Sequence, residues 1–317
     1  MDKGQYAPAA FLAGMYAAWI AASATLYVVF RLWPESWSLS LPAASLLYMP
    51  VVLLFAGLGC RINAAYLLNV EPAMRRRPAV RYGCLLAVLA AGGLMILAAR
   101  QWEITNPGFY MVYTANLLVF ANLLGAWIVS PLRREAELVL VCMVMALADL
   151  FSILQGPTRR IVASVETYYR SGMDGPPPAG DFLLIKIPAP GLENLQPLFG
   201  VSDWIIVAFL SAAALRFRIN DNLFGPGLFR METSGKMGVY FPLACAGLVG
   251  AVFAAGLLDR FIPALPVVAA VFVSGLLIRC PAARRLTSYD FRLMTLFAAG
   301  MLIALVLAAL VLPLVLH

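Results

Sequence analysis

Apolar residues in this chain come in runs of about twenty, separated by short polar stretches. Nine such runs can be placed, at roughly 8–30, 41–59, 80–99, 109–130, 136–154, 199–216, 238–258, 261–278 and 291–315. Twenty helical residues at ~1.5 Å each cross the ~30 Å of hydrocarbon in a bilayer. Runs this apolar leave no polar face for water. The pattern predicts an all-α polytopic membrane protein of about nine transmembrane helices, built as a single membrane domain over residues 1–317. Within it, 1–135 form the N-terminal helices, 136–280 a core interrupted by a flexible loop at 155–198, and 281–317 a C-terminal helix.

The connection between the fifth and sixth runs is the longest. Its first part, 155–170, is polar and compatible with a helix. The stretch 171–180 reads Ser-Gly-Met-Asp-Gly-Pro-Pro-Pro-Ala-Gly, a linker composition. Phe182, Leu183, Leu184, Ile185, Lys186 and Ile187 then form a β-prone run closed by Pro188. That run predicts a short strand or hairpin whose free edge is available to an extended peptide, or else an interfacial loop seated in lipid headgroups. Elsewhere, Asn116 and Asn122 are expected to bond neighbouring helices, and Gly92 and Gly93 to allow close helix packing.

Composition agrees with the pattern. The chain is 62% hydrophobic and 12% charged, with mean hydropathy +0.86. The net charge of +7 does not indicate a nucleic-acid partner, because the cations mark loops and helix ends. With the N-terminus cytoplasmic, sixteen of the 23 lysines and arginines, including Arg75, Arg76 and Arg77, fall on the cytoplasmic side. The C-terminus and the long loop are then extracytoplasmic. The only histidine is His317, which argues against histidine catalysis and histidine metal sites. Cys60, Cys84, Cys142, Cys245 and Cys280 show no metal spacing and read as small hydrophobes. No cofactor is expected.

The candidate chemistry lies in two carboxylates. Of sixteen acidic residues, fourteen fall in loops or at helix ends and only Asp149 and Asp203 are embedded in apolar runs. A charge there costs several kcal/mol unless it meets a partner or water. Counted from the ends of their runs at ~1.5 Å per residue, both lie roughly 6–8 Å inside the same face. Pro263-Ala264-Leu265 opens a later run on that face too. Two carboxyls that share a proton can activate water for peptide hydrolysis. The same pair also suits a proton or cation relay in a transporter, or a buried contact that only fixes helix packing.

The residues around these positions resemble one family. Ala148-Asp149-Leu150-Phe151-Ser152-Ile153-Leu154, followed by Gly156-Pro157-Thr158-Arg159 and Val165-Glu166-Thr167, resembles the first catalytic segment of presenilins. Gly200-Val201-Ser202-Asp203 resembles the second motif, Gly-x-Gly-Asp, and Pro263-Ala264-Leu265 matches the third. The order agrees as well, over about residues 136–280. Departures are Ala148 where the family has Tyr, Ser202 for the second glycine, and a further helix after the Pro-Ala-Leu helix.

The resemblance implies a presenilin-like bundle and an intramembrane aspartyl protease of the presenilin and signal peptide peptidase group. Asp149 and Asp203 would be catalytic. Gly200, Ser202, Pro263, Ala264, Leu265 and the 182–187 run would contact substrate, and the partners would be transmembrane peptides and the lipid bilayer. The charge distribution gives the signal peptide peptidase orientation, inverted relative to presenilin. A proton- or cation-coupled transporter, or a non-catalytic membrane chaperone of the same fold, remains the alternative.

Overall fold

A computed structural model describes residues 7–32, 41–102, 104, 106–155, 157–173, 175–190, 192, 194–258 and 262–285, with single positions between 288 and 300. The chain is a helical membrane protein. Helix α1 (Ala7–Arg31) is followed by α2 (Leu41–Ala65), a π turn (Tyr66–Val70), α3 (Glu71–Arg76), α4 (Pro78–Gln101), α5 (Pro107–Ile128), α6 (Ala136–Gln155) and α7 (Pro157–Arg170). A 3-10 turn (Ala179–Leu183) leads into β1 (Leu184–Ile187) and β2 (Gln196–Gly200). Then come α8 (Val201–Arg216), α9 (Leu228–Ser234), α10 (Leu243–Leu258) and α11 (Ala264–Arg279). Eight of the nine expected runs therefore coincide with helices; the last, 291–315, lies outside the described residues apart from isolated positions.

Among the described residues, five helical stretches are long and apolar enough to cross a membrane: in α1, from α2 through α3, and in α4, α5 and α6. The apolar helices α8, α10 and α11 have 16 residues each, about 24 Å at 1.5 Å per residue. Helix α4 shows why lipid rather than water surrounds the bundle. Leu86, Leu94 and Leu97 are about two-thirds exposed, which only a hydrocarbon solvent tolerates along a whole helix. Helix α5 is the converse. Tyr110, Tyr113, Thr114, Leu118, Asn122 and Ala126 are all buried, so α5 is the central post.

Polar side chains tie helices to that post, as expected from the sequence. Asn116 donates its amide to the Val88 carbonyl at 3.3 Å, and a Cβ on Gly92 would come within 2.9 Å of the same amide. Asn122 donates to the Tyr16 hydroxyl at 3.0 Å and accepts from the Trp204 indole at 3.2 Å. That single amide joins α1, α5 and α8. Where α5 meets α8, a Cβ on Gly125 would lie 2.7 Å from the Ala208 Cβ, the Ile205 carbonyl and the Phe209 amide. Gly247 packs against Val268 in the same way where α10 meets α11. All five cysteines are free, and Cys60, Cys142 and Cys245 are buried.

Residues 155–198 contain α7, the 3-10 turn and β1, and β2 begins there. Phe182 and Leu183 belong to the 3-10 turn, so the strand is shorter than the β-prone run. Its partner is β2, antiparallel, with Leu184 opposite Gly200 and Ile187 opposite Gln196. A register shift falls between Ile185 and Lys186, next to Pro197. A bulge is where a strand tolerates a residue that has no N–H to donate.

Helix α8 begins at the end of β2, inside the bundle. Trp204 meets Asn122, which is roughly 22 Å along α5 from Pro107 at 1.5 Å per residue. The first turn of α8, which holds Asp203, thus starts beside the middle of α5.

The tight α5–α8 crossing gives a direct test. Gly125→Leu should lower stability by about 1–3 kcal/mol through overpacking. Gly93→Leu, where a Cβ meets nothing within 4 Å, should change it little. Thermal unfolding of the two variants in detergent measures the difference.

Candidate active site

Asp203 owes its position to the junction of β2 and α8. Gly200 is the N-cap of α8 and Asp203 is its third helical residue. The Asp203 side chain turns back, and its Oδ2 accepts the Gly200 N–H at 3.0 Å. A carboxylate here satisfies one of the unpaired donors at a helix N-terminus and faces the positive end of the helix dipole. Glycine at 200 leaves room for this turn, since a Cβ would stand 3.2 Å from Asp203 Oδ2 and 3.3 Å from Ser202 Oγ. Ser202 is exposed.

Asp149 lies on α6, which packs along α11. Its carboxylate faces the backbone N–H of Leu265. Pro263 is the N-cap of α11, so Ala264 and Leu265 form that helix's first turn. Their N–H groups are the ones a helix leaves unpaired. The third motif thus lies against the first. Asp149 is also close enough to Asp203 for the two charges to interact. Asp149, Asp203, Pro263, Ala264 and Leu265 are all half-buried, and Ala148 and Leu150 beside Asp149 are exposed. Each carboxyl thus lies at the N-terminal turn of a helix.

The hairpin beside the dyad is anchored by a buried ion pair. Lys186 Nζ lies 2.5 Å from Asp181 Oδ2, and both side chains are almost fully buried. Tyr169 donates to the other carboxylate oxygen at 2.8 Å. The ammonium stands 4.0 Å from the centre of the Tyr110 ring, close enough for a cation–π contact. Thr114 accepts the Lys186 N–H at 3.3 Å, and Tyr113 donates to the Phe182 carbonyl at 2.9 Å. Ile185 and Ile187 are fully buried. The expected free edge of 182–187 is therefore used up on one side by β2 and meets α5 hydroxyls on the other. Leu183 alone in this run is exposed, at 48%.

Other parts of the first motif have local roles. Glu166 pairs with Arg170 at 2.6 Å on the exposed face of α7. Thr167 donates to the Ala163 carbonyl, and Val165 packs against Gly180. Gly156 lies outside the described residues, as do the side chains of Leu154, Pro157, Thr158 and Arg159. Among the described residues no cluster of acidic, cysteine or histidine side chains is arranged to hold a metal.

Two further acids are buried that read as loop residues in the sequence, Asp181 and Asp221. Asp221 follows α8, and its Oδ2 accepts the Tyr240 hydroxyl at 2.7 Å. Burial pushes its carboxyl up to about 7, against the lowering effect of that hydrogen bond. Neither acid was signalled by local pattern, because each lies outside the twenty-residue apolar runs. The tyrosines that cover them, Tyr169 and Tyr240, were the available signal. Comparison with protein-family models, with curated proteins and with solved structures finds no match.

Asp221 carries a pH prediction. Its folded pKa lies above the unfolded value, so its contribution to stability is complete below about pH 4 and is lost as pH rises to about 7. Asp221→Asn cannot ionise and should be more stable than the wild type at pH 8 but not at pH 4. Thermal unfolding at the two pH values reads this out.

Proposed function

We propose that the protein is an intramembrane aspartyl protease of the presenilin and signal peptide peptidase type, with Asp149 and Asp203 as the catalytic dyad. The observation that carries this reading is the Leu265 N–H of the Pro-Ala-Leu turn on Asp149, with Asp203 in electrostatic range. Three separated motifs that each resemble the family thus meet at one place. In this reading nine helices span the bilayer, with the N-terminus cytoplasmic and the 155–198 connection extracytoplasmic.

The chemistry follows from the pair. Two carboxyls at close range share one proton. The ionised one takes a proton from water, and the water oxygen attacks the scissile carbonyl carbon. The protonated one donates to the carbonyl oxygen. Collapse of the tetrahedral intermediate breaks the C–N bond, and the leaving amine takes a proton from the dyad. Backbone N–H groups of Gly200 and Leu265 orient the carboxyls, so neither depends on a flexible side chain for alignment. Pro263, Ala264 and Leu265 wall the site from the α11 side. Gly200 and Ser202 do so from the α8 side.

A substrate transmembrane helix hides its carbonyls in internal hydrogen bonds and must unwind locally to react. The hairpin is itself non-helical backbone within the bundle and lies directly before Asp203. It offers an extended chain a surface of matching geometry.

The test is cleavage of a panel of transmembrane peptides by the purified protein, with fragments identified by mass spectrometry. Asp149→Asn and Asp203→Asn should each lower the rate by roughly 10²-fold or more while the protein stays folded, since the amide keeps the shape and removes the titrating proton. Activity should fall at high pH as the shared proton is lost. Near-normal cleavage by either variant would exclude that residue from the dyad, and no cleavage of any peptide by the wild type would favour the ion-relay reading.

A further inference from the structure

The anchor of the hairpin forms the floor of a cleft. The cleft has a volume of about 260 Å³ and is lined by Pro107, Tyr110, Tyr168, Met173, Lys186, Asn194 and Leu195. Three elements build it: the start of α5, the end of α7, and the turn between β1 and β2. Its polar atoms are the Tyr110 and Tyr168 hydroxyls, the Lys186 ammonium and the Asn194 amide, and each can donate a hydrogen bond. Lys186 supplies the one formal charge among these lining residues. Its counter-ion, Asp181, is fully buried behind it and does not line the cleft. Among the described lining residues the cleft thus has a cation and donors but no carboxylate, which suits an anionic acceptor. Pro107, Met173 and Leu195 supply apolar walls for the chain that would carry it.

Distance connects the cleft to the dyad. Leu195 directly precedes β2, and β2 runs without interruption into α8 and Asp203. Five strand residues at roughly 3.3 Å each cover about 16 Å. A peptide extended along the hairpin from the dyad reaches the cleft after five or six residues.

We propose that this cleft binds a carboxylate of an extended peptide, held by the Lys186 ammonium and the Tyr110, Tyr168 and Asn194 donors, about six residues from the bond presented to the dyad. The proposal rests on the protease reading for its peptide, but binding is measured without cleavage. The chemistry is shared by a C-terminal carboxylate and an acidic side chain, and the test separates them.

Calorimetry in detergent on the Asp203→Asn protein, with wild type alongside, would use three acetylated apolar hexapeptides. One ends in a free acid, one in an amide, and one in an amide with glutamate at its last position. The free acid or the glutamate peptide should bind about tenfold tighter than the plain amide, the scale of a charge-assisted hydrogen bond, and whichever does so names the source. The preference should vanish in Lys186→Met/Asp181→Asn, which removes both buried charges together. Tyr168→Phe and Asn194→Leu, at partly exposed and exposed positions, should each reduce the preference and serve if the double variant does not fold. Equal binding of all three peptides would overturn the proposal, as would a preference that survives these substitutions. A wild type that binds the acid but cleaves nothing would leave the cleft standing and remove the protease reading.

Discussion

Backbone polar groups buried away from water must find partners within the protein. Helices meet this demand by themselves. The segment from Ala179 to Gly200 does not, and its placement constrains everything around it. Lys186 N–H goes to Thr114, the Phe182 carbonyl takes the Tyr113 hydroxyl, and the Pro197 carbonyl takes Tyr48 at 3.5 Å. The inward-facing groups of the two strands pair with each other in the hairpin. The buried Lys186–Asp181 pair fixes this arrangement against α5 and α7. Such a pair adds little net stability when intact but is costly to break on one side only. It favours one position of the hairpin over displaced ones.

The site inherits its geometry from that position. Because β2 ends beside the middle of α5, α8 starts at depth, and its first turn brings Asp203 there. The same need for partners at helix N-termini explains both carboxyl contacts. Asp203 takes the Gly200 N–H at the start of α8, and Asp149 faces the Leu265 N–H at the start of α11. The N-termini of two helices thus lie against two half-buried carboxylates. Structure and candidate chemistry meet the same requirement.

Much of the helical framework could be read from the chain alone, because a twenty-residue apolar run has few alternatives. The roles of Asn116 and Gly92 were legible for a similar reason: an amide among apolar residues needs a partner, and a glycine permits one to approach. What escaped the sequence depends on long-range contacts. Gln196–Gly200 contains Pro197 and merges into the apolar run that follows, so it read as the edge of a helix rather than a strand. Asp181 and Asp221 read as loop residues because they lie outside the twenty-residue apolar runs, although Tyr169 and Tyr240 cover them. The meeting of Asp149 with Leu265, across more than a hundred residues, was suggested by the shared level of the motifs and by the family resemblance, not by any local pattern.

The central claim is that Asp149 and Asp203 face each other across one open site. It is tested most directly by cross-linking. In a background with Cys60, Cys84, Cys142, Cys245 and Cys280 replaced by alanine, cysteines at 149 and 203 would be treated with a short bis-methanethiosulfonate reagent. Cleavage of the chain in the glycine- and proline-rich stretch between them then reveals any link. The account predicts rapid linkage of 149 to 203 and little linkage of 203 to a cysteine at the exposed neighbour Leu150. Failure of 149 and 203 to link, with both thiols shown to be reactive, would contradict it.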